Sequence, residues 1–333
     1  MIYQVKDWPG FGKTIVFALQ QLLAILAATI AVPAIIGNGM SQAAALFGAG
    51  IGTIVYLLFT KFKSPVFLGS SFAFLGSMAA AFAGGVSMSA GYLGLIIGAA
   101  FAGLVYVIFA IIIKFVGTGW INKLMPAVVI GPTVAIIGLS LAGNAVGDLM
   151  TGSYIASTDS WSSYIGIICG LVAMIVTIIC SVYGKKMLKM IPFIIGIAAG
   201  YLLALAFTGI GYWSNVDALK LINFEKFNSM QWYPELSFIT AFSGNYDWGE
   251  MGSFGAYLGK IALAYIPVSC VVLAEHISDH KNLGSIIGTD LLEDPGLHRT
   301  LLGDGVGSIV GAFFGGCPNT TYTVRPYTEM YIE

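Results

Sequence analysis

Apolar residues come along this chain in runs of roughly twenty, and a run of that length crosses about 30 Å of hydrocarbon as a helix. Read as uninterrupted stretches, the runs predict spans at Thr14–Ile36, Ala43–Thr60, Pro65–Ala83, Tyr92–Phe115, Leu124–Val146, Trp161–Val182, Ile191–Tyr212, Tyr257–Ile277 and Thr300–Gly315. A tenth opens near Cys317 and is cut short. The first is too long for the core of a signal peptide and carries Gln20 and Gln21 in its middle, so it reads as a retained span. Of 333 residues, 57% are apolar and only 9% are charged, against about 25% charge in a soluble protein. So few charges cannot cover a water-facing surface. The expected class is an all-α polytopic membrane protein lying in a lipid bilayer, which excludes a cytosolic enzyme, a disordered chain and a secreted disulfide scaffold. A net charge of −1 gives no basic face for nucleic acid. Cys169, Cys180, Cys270 and Cys317 lie in or beside apolar runs with no CxxC pair, and read as small core residues.

Lysine placement sets the expected orientation. Lys6, Lys13, Lys61, Lys63, Lys114, Lys123, Lys185, Lys186 and Lys189 flank one side, while loops Gly37–Gln42, Gly84–Gly91 and Gly147–Ser160 on the other contain no Lys or Arg. Positive-inside bias then puts the amino terminus in the cytoplasm. The segment Trp213–Ala256, rich in aromatics and carrying Asp217, Glu225, Glu235, Asp247 and Glu250, becomes external, a folded loop or interfacial helix.

An internal repeat stands out. Leu46–Phe59 reads LFGAGIGTIVYLLF and Leu301–Phe314 reads LLGDGVGSIVGAFF, with half of the fourteen positions identical at a constant offset of 255. The two segments start the second and ninth spans, seven places apart, so they cross in opposite directions. Inverted repeats are a frequent construction of secondary transporters, which bind substrate near the midplane where helices are broken. Such breaks are visible as polar runs inside apolar stretches, at Gly69-Ser70-Ser71 and at Pro318-Asn319-Thr320-Thr321. Irregular backbone at that depth is tolerated only when buried in protein or lining a cavity. The glycines of the repeat read mainly as close helix packing. Neither run has the following residues of a phosphate loop.

The ionisable residues narrow the chemistry. Glu275 follows a long apolar run in the eighth span, and a carboxylate there costs about 2.5–3.5 kcal/mol to insert, so it is expected to line a polar path or binding site. A structural carboxylate paired inside the bundle is the competing reading. Asp279 stands one turn further along the same face and can share or orient a proton; His276 follows Glu275, and His280 follows Asp279. Glu275, Asp279 and His276 are therefore the candidate proton-coupling residues. Histidines at i and i+4 also suit a metal, but no third ligand is in view, and neither a metal nor another cofactor is expected. His280 is placed at the membrane edge, and Lys281–Arg299 as a solvated loop.

Taken together, Ala28-Thr29-Ile30-Ala31-Val32-Pro33, Leu68-Gly69-Ser70-Ser71-Phe72-Ala73-Phe74, Gly117-Thr118-Gly119-Trp120, Ala274-Glu275-His276-Ile277, Asp294-Pro295-Gly296-Leu297-His298-Arg299 and Pro318-Asn319-Thr320-Thr321-Tyr322 closely resemble the nucleobase–ascorbate transporter family, also called nucleobase:cation symporter-2, and within it the members that carry uracil. The resemblance covers nearly all of the chain. It implies two inverted repeats of seven segments, with short antiparallel strands in segments 3 and 10. It implies a core domain (1–117 and 257–322), a gate domain (118–212) and an external loop (213–256). It implies proton-coupled uptake of uracil through the inner, cytoplasmic membrane, with a homodimer plausible. By position, Glu275 looks like the glutamate that meets the pyrimidine, Ser71 and Phe72 like the strand beside the base, Ala28 like a pocket wall and Tyr322 like the neighbouring tyrosine. A purine (xanthine or urate) permease is the near alternative; an anion exchanger or channel of the same architecture, or a non-transporting fragment, are more distant ones. After Tyr322 the family continues with Gly-Glu, whereas this chain reads Thr323-Val324-Arg325-Pro326, so 323–333 is expected to be an atypical tail on a chain truncated in segment 10.

Overall fold

The computed structural model describes residues 7–8, 10–120, 132, 135–136, 139, 142–156, 159–185, 188, 192–225, 233–244 and 246–322. It is mostly helical. In chain order the elements are α1 (Phe11–Ile36), α2 (Gln42–Phe59), β1 (Phe67–Ser70), a 3₁₀ turn (Phe72–Phe74), α3 (Leu75–Phe82), α4 (Met88–Val116), α5 (Ala142–Met150), α6 (Ser160–Tyr183), α7 (Pro192–Ser214), α8 (Ser237–Phe242), α9 (Phe254–Ile287), α10 (Leu297–Gly315) and β2 (Asn319–Tyr322). Among the described residues, α2, α4, α6, α7 and α9 are long and apolar enough to cross a membrane. The protein is a multi-pass membrane protein.

The helices start and stop where local chemistry directs. Ser41, Ser87 and Ser253 cap α2, α4 and α9 by accepting the backbone N–H of Ala44, Ala90 and Ala256, and Asp159 caps α6 through Trp161 N–H. Gly288 ends α9 in the left-handed conformation that glycine adopts without strain.

Three expectations shift. The predicted span Pro65–Ala83 is not one helix: its polar middle forms β1 and the 3₁₀ turn, leaving only α3 helical. The helix of the eighth expected span, α9, runs ten residues past Ile277, so much of the expected solvated loop is helix and His280 is fully buried rather than at an edge. His298 falls in the first turn of α10. Most of the fifth expected span, with Lys123 and Pro126, lies outside the described residues, as do Lys186, Lys189, the side chain of Gln20 and the tail 323–333.

The chain divides into two compact units, one of Met1–Thr14, Ala28–Ile137 and Tyr233–Glu333, the other of Ile15–Ala27 and Gly138–Trp232. In the second, α6 and α7 meet through small residues; a Cβ on Gly200 would sit 3.0 Å from the Cys169 carbonyl. The chain beyond α7 is tied down by Thr208, whose hydroxyl accepts the N–H groups of Leu221 and Ile222 at 3.1 and 3.2 Å.

In the first unit α10 packs against α2 and α4, and α9 against α3 and α4. The α2–α10 contact is nearly backbone on backbone. A Cβ on Gly52 would lie 2.7 Å from the Gly307 carbonyl, and one on Gly307 equally close to the Gly52 carbonyl. Gly48 meets Gly311 and Gly315, and Gly303 meets Tyr56, so the helices run antiparallel. Apolar bulk is placed outward instead: Ile54, Leu58, Leu104, Ile108 and Leu263 are each more than half exposed. Small residues inside and large ones outside is the arrangement expected where lipid, not water, surrounds the bundle.

Gly52→Leu or Gly307→Leu should therefore force α2 and α10 apart, costing about 1–3 kcal/mol or more. Gly50→Ala, where nothing lies within 4 Å, is the control and should be neutral. Thermal unfolding of the detergent-purified protein would check both.

Candidate functional site

Two four-residue strands meet antiparallel in the first unit, pairing Phe67 with Tyr322, Leu68 with Thr321, Gly69 with Thr320 and Ser70 with Asn319. Ser71 N–H extends the ladder by donating to Pro318 O at 3.0 Å, and Tyr322 Oη donates to Ser70 O at 2.7 Å. Each strand is also braced by a hydroxyl from a helix. Leu68 N–H donates to Thr53 Oγ1 (3.0 Å) of α2, and Asn319 N–H donates to Ser308 Oγ (2.9 Å) of α10. Thr53 and Ser308 are equivalent positions of the sequence repeat, at the offset of 255.

Polar groups concentrate around this ladder without satisfying one another. The side-chain oxygens of Thr29, Ser71, Thr320 and Thr321 and the amide nitrogen of Asn319 are buried and have no hydrogen-bond partner among the described residues. Thr29 sits over Gly69, where an added Cβ would meet both its hydroxyl and the Tyr322 ring at 3.0 Å. Ala28, beside it, is half-buried on α1, and Phe72 is half-buried at the start of the 3₁₀ turn. Phe74 is buried and stacks on Tyr265, centroids 5.6 Å apart.

Glu275 on α9 is half-buried, and among the described residues no basic side chain is within ion-pair distance of it. The helix that carries Glu275 and Asp279 packs against β2 and α4. The structure thus sets α9 beside the strand of Tyr322, with Ser71 and Phe72 on the continuation of the partner strand. His276 turns elsewhere. It is fully buried, with Nδ1 2.7 Å from Asp304 Oδ2 and Nε2 3.0 Å from Thr300 Oγ1, both on α10.

His280 stacks on His276 at 4.1 Å. Its Nδ1–H donates to the His276 carbonyl at 2.8 Å, which leaves Nε2 to accept from Tyr56 Oη at 2.7 Å; Tyr56 in turn accepts from Ser64 Oγ at 2.7 Å. Hydrogen-bond partners assign this ring as the neutral Nδ1–H tautomer. Among the described residues no group of three or more His, Cys, Asp or Glu is placed to hold a metal ion.

Sequence reasoning missed Asp304, Thr300, Tyr56 and Ser64. Asp304 was in plain view as an ionisable residue inside the glycine-rich repeat, and the same rule that selects Glu275 would have found it.

The chain matches the model of the Permease family over residues 12–324. It is 37% identical over 321 residues to the uracil permease of Bacillus caldolyticus, 38% over 318 residues to that of Bacillus subtilis and 34% over 318 residues to that of Escherichia coli K12. Each alignment covers 96% of this chain and 66–67% of the relative, so the chain spans about two thirds of the length of these proteins.

Thr53→Val keeps the shape of the side chain but strands the Leu68 amide, a loss of about 1–3 kcal/mol. Thr53→Ser should recover most of it. Thermal unfolding together with amide exchange at Leu68 would read the effect directly.

Proposed function

We propose, on the premise that this chain belongs to the Permease family, that it is built for the proton-coupled uptake of uracil. The observation that carries the reading is Glu275, which pairs with no basic side chain among the described residues, on a helix packed against a strand pair whose buried polar groups lack partners among the same residues. Uracil supplies what these groups lack. It has two N–H donors and two carbonyl acceptors; Glu275 accepts from the former, and backbone N–H groups at Phe72 with nearby hydroxyls serve the latter. Ala28 and the ring of Tyr322 act as walls, and Ser71 stands beside the base. A flat, neutral molecule needs little more than a few polar anchors and apolar sides.

In the mechanism, Glu275 receives a proton at the outer face, binds uracil beside the strands and loses the proton inside, with Asp279 as its neighbour in the exchange. His276 acts from behind by holding α9 against α10. No metal or organic cofactor enters the scheme; the proton is the coupling ion. Motion is assigned to the two units: the first, carrying the strands, is the core, and the second is the gate.

The architecture read here is a pair of inverted repeats. Its support is the reciprocity of the α2–α10 contact: Gly52 meets Gly307, its own equivalent, while Gly48 meets Gly311 as Gly303 meets Tyr56, each pair related by the same offset. Contacts that exchange in this way are the mark of a two-fold axis. The lysine distribution supports a cytoplasmic amino terminus in the inner membrane, and a dimer is part of the same reading.

The test is radiolabelled uracil uptake by cells that lack their own uracil transport and express this chain. Accumulation should stop when the pH gradient is collapsed. Glu275→Gln keeps one acceptor oxygen but replaces the other with an NH2 donor and removes the titratable proton, and should abolish accumulation. Uptake that ignored both changes would remove Glu275 from its role.

A further inference from the structure

We propose that Asp304 and His276 together form a buried proton-binding site, loaded with one proton in the conformation seen here, so that the chain carries a second protonation site beside Glu275. Its part in transport rests on the permease reading above; its charge state rests on hydrogen-bond geometry alone.

Thr300 Oγ1 is the starting point. It lies 3.0 Å from the Leu297 carbonyl and 3.0 Å from His276 Nε2. A carbonyl only accepts; we assign the single hydroxyl proton to Leu297 O, and with that assignment His276 Nε2 is the donor to Thr300. The other side of the ring is a 2.7 Å contact between Nδ1 and Asp304 Oδ2, which needs one proton of its own. Placed on nitrogen, that proton makes an imidazolium facing a carboxylate; placed on oxygen, it makes a neutral ring facing a carboxylic acid. Both have zero net charge, and both hold one proton more than a carboxylate beside a neutral histidine.

Burial points the same way. The side chains are 0% and 2% exposed, and a net negative charge there would be unsolvated. The groups around the pair offer no compensation. They are Glu275, Asp279 and His280 on α9, Tyr106 on α4 with its ring edge-on to His276 at 6.0 Å, and Tyr56 on α2. Among the described residues, no lysine or arginine pairs with either member. The proton therefore belongs to the pair as a unit.

Asp304 and Glu275 also sense each other electrostatically. Discharge of the pair sends its proton to water and leaves one negative charge, which requires this corner to hydrate as the helices move. Ionising Glu275 opposes that step, and protonating it favours it. The two sites are thus linked in the order in which they empty.

The test reads the ring directly. The chain has three histidines, His276, His280 and His298. In ¹⁵N-histidine-labelled protein in lipid nanodiscs, His298→Gln removes one imidazole signal, and the stacked pair is separated by its ring-to-ring correlation. His276 should show a protonated Nε2 at neutral pH. Its Nδ1 is protonated too if the imidazolium form holds, or bare with an infrared carboxylic-acid band that Asp304→Asn removes if the acid form holds. A bare Nε2 beside an N–H at Nδ1 would mean a charged, unloaded pair and would overturn the proposal. This readout needs no substrate, so it stands or falls independently of uracil uptake. For the role, Asp304→Asn keeps a hydrogen-bond donor toward Nδ1 but cannot release a proton, and should lower gradient-driven accumulation by about tenfold or more. Accumulation at the parent level in that variant would make the pair a structural contact and sink the coupling claim.

Discussion

Backbone amides that leave a helix inside a membrane must find partners in the protein, because lipid offers none. The strand pair meets that demand along its shared edge through the ladder from Phe67–Tyr322 to Ser70–Asn319, lengthened by Ser71 N–H. It does not meet it alone. Leu68 and Asn319 donate instead to hydroxyls on flanking helices, Thr53 and Ser308. Those hydroxyls reach the strands only because α2 and α10 come together at their glycines, with Gly52 against Gly307. The short extended segments depend on that close approach. A methyl group on Gly52 would press on the Gly307 carbonyl and on the Asn319 side-chain amide, and so act on the strand directly.

The same economy governs α9. Successive residues of a helix are turned by about 100°, so positions 275 and 279 share one side while 276 and 280 share the next. Glu275 and Asp279 remain half-buried on the helix that packs against β2. His276 and His280 turn into the bundle and use up their ring nitrogens on Asp304, Thr300, Tyr56 and the backbone. One helix thus carries an adaptable polar face and a fixed one. The fixed face holds the adaptable one at a constant height against the strands.

Much of this was legible in the residue order, because its signals are local. Spans announce themselves by length, the two breaks by Ser and Thr inside apolar runs, and Glu275 by the cost of its charge in hydrocarbon. The repeat even marks Thr53 and Ser308 as equivalents, although nothing in their spacing says that they accept strand amides. The partners were hidden because they are remote in sequence. His276 is 28 residues from Asp304, and Tyr56 is 224 from His280. No periodicity links such pairs. His280 was misplaced for a simpler reason: Asp279 and Lys281 look like a membrane boundary, but the helix continues to Ile287 and folds the ring inward. Hydropathy reports the average neighbourhood of a segment, and a single buried polar contact escapes it.

Where the repeat departs from symmetry is as informative as where it holds. Position 49 of the first half corresponds to position 304 of the second, and the pair is Ala49 and Asp304. In the first half the position is ordinary helix: the Ala49 carbonyl accepts from Thr53 at 2.7 Å and its methyl is buried. In the second the equivalent side chain reaches out of α10 to the histidine of α9. Both halves need the glycines and the hydroxyl, since both must hold a strand. Only the second half places a titratable group at this position. The glycine packing and the strand-bracing hydroxyl, common to both halves, therefore do not require the polar contact of His276 with Asp304, which the methyl of Ala49 has no means to make.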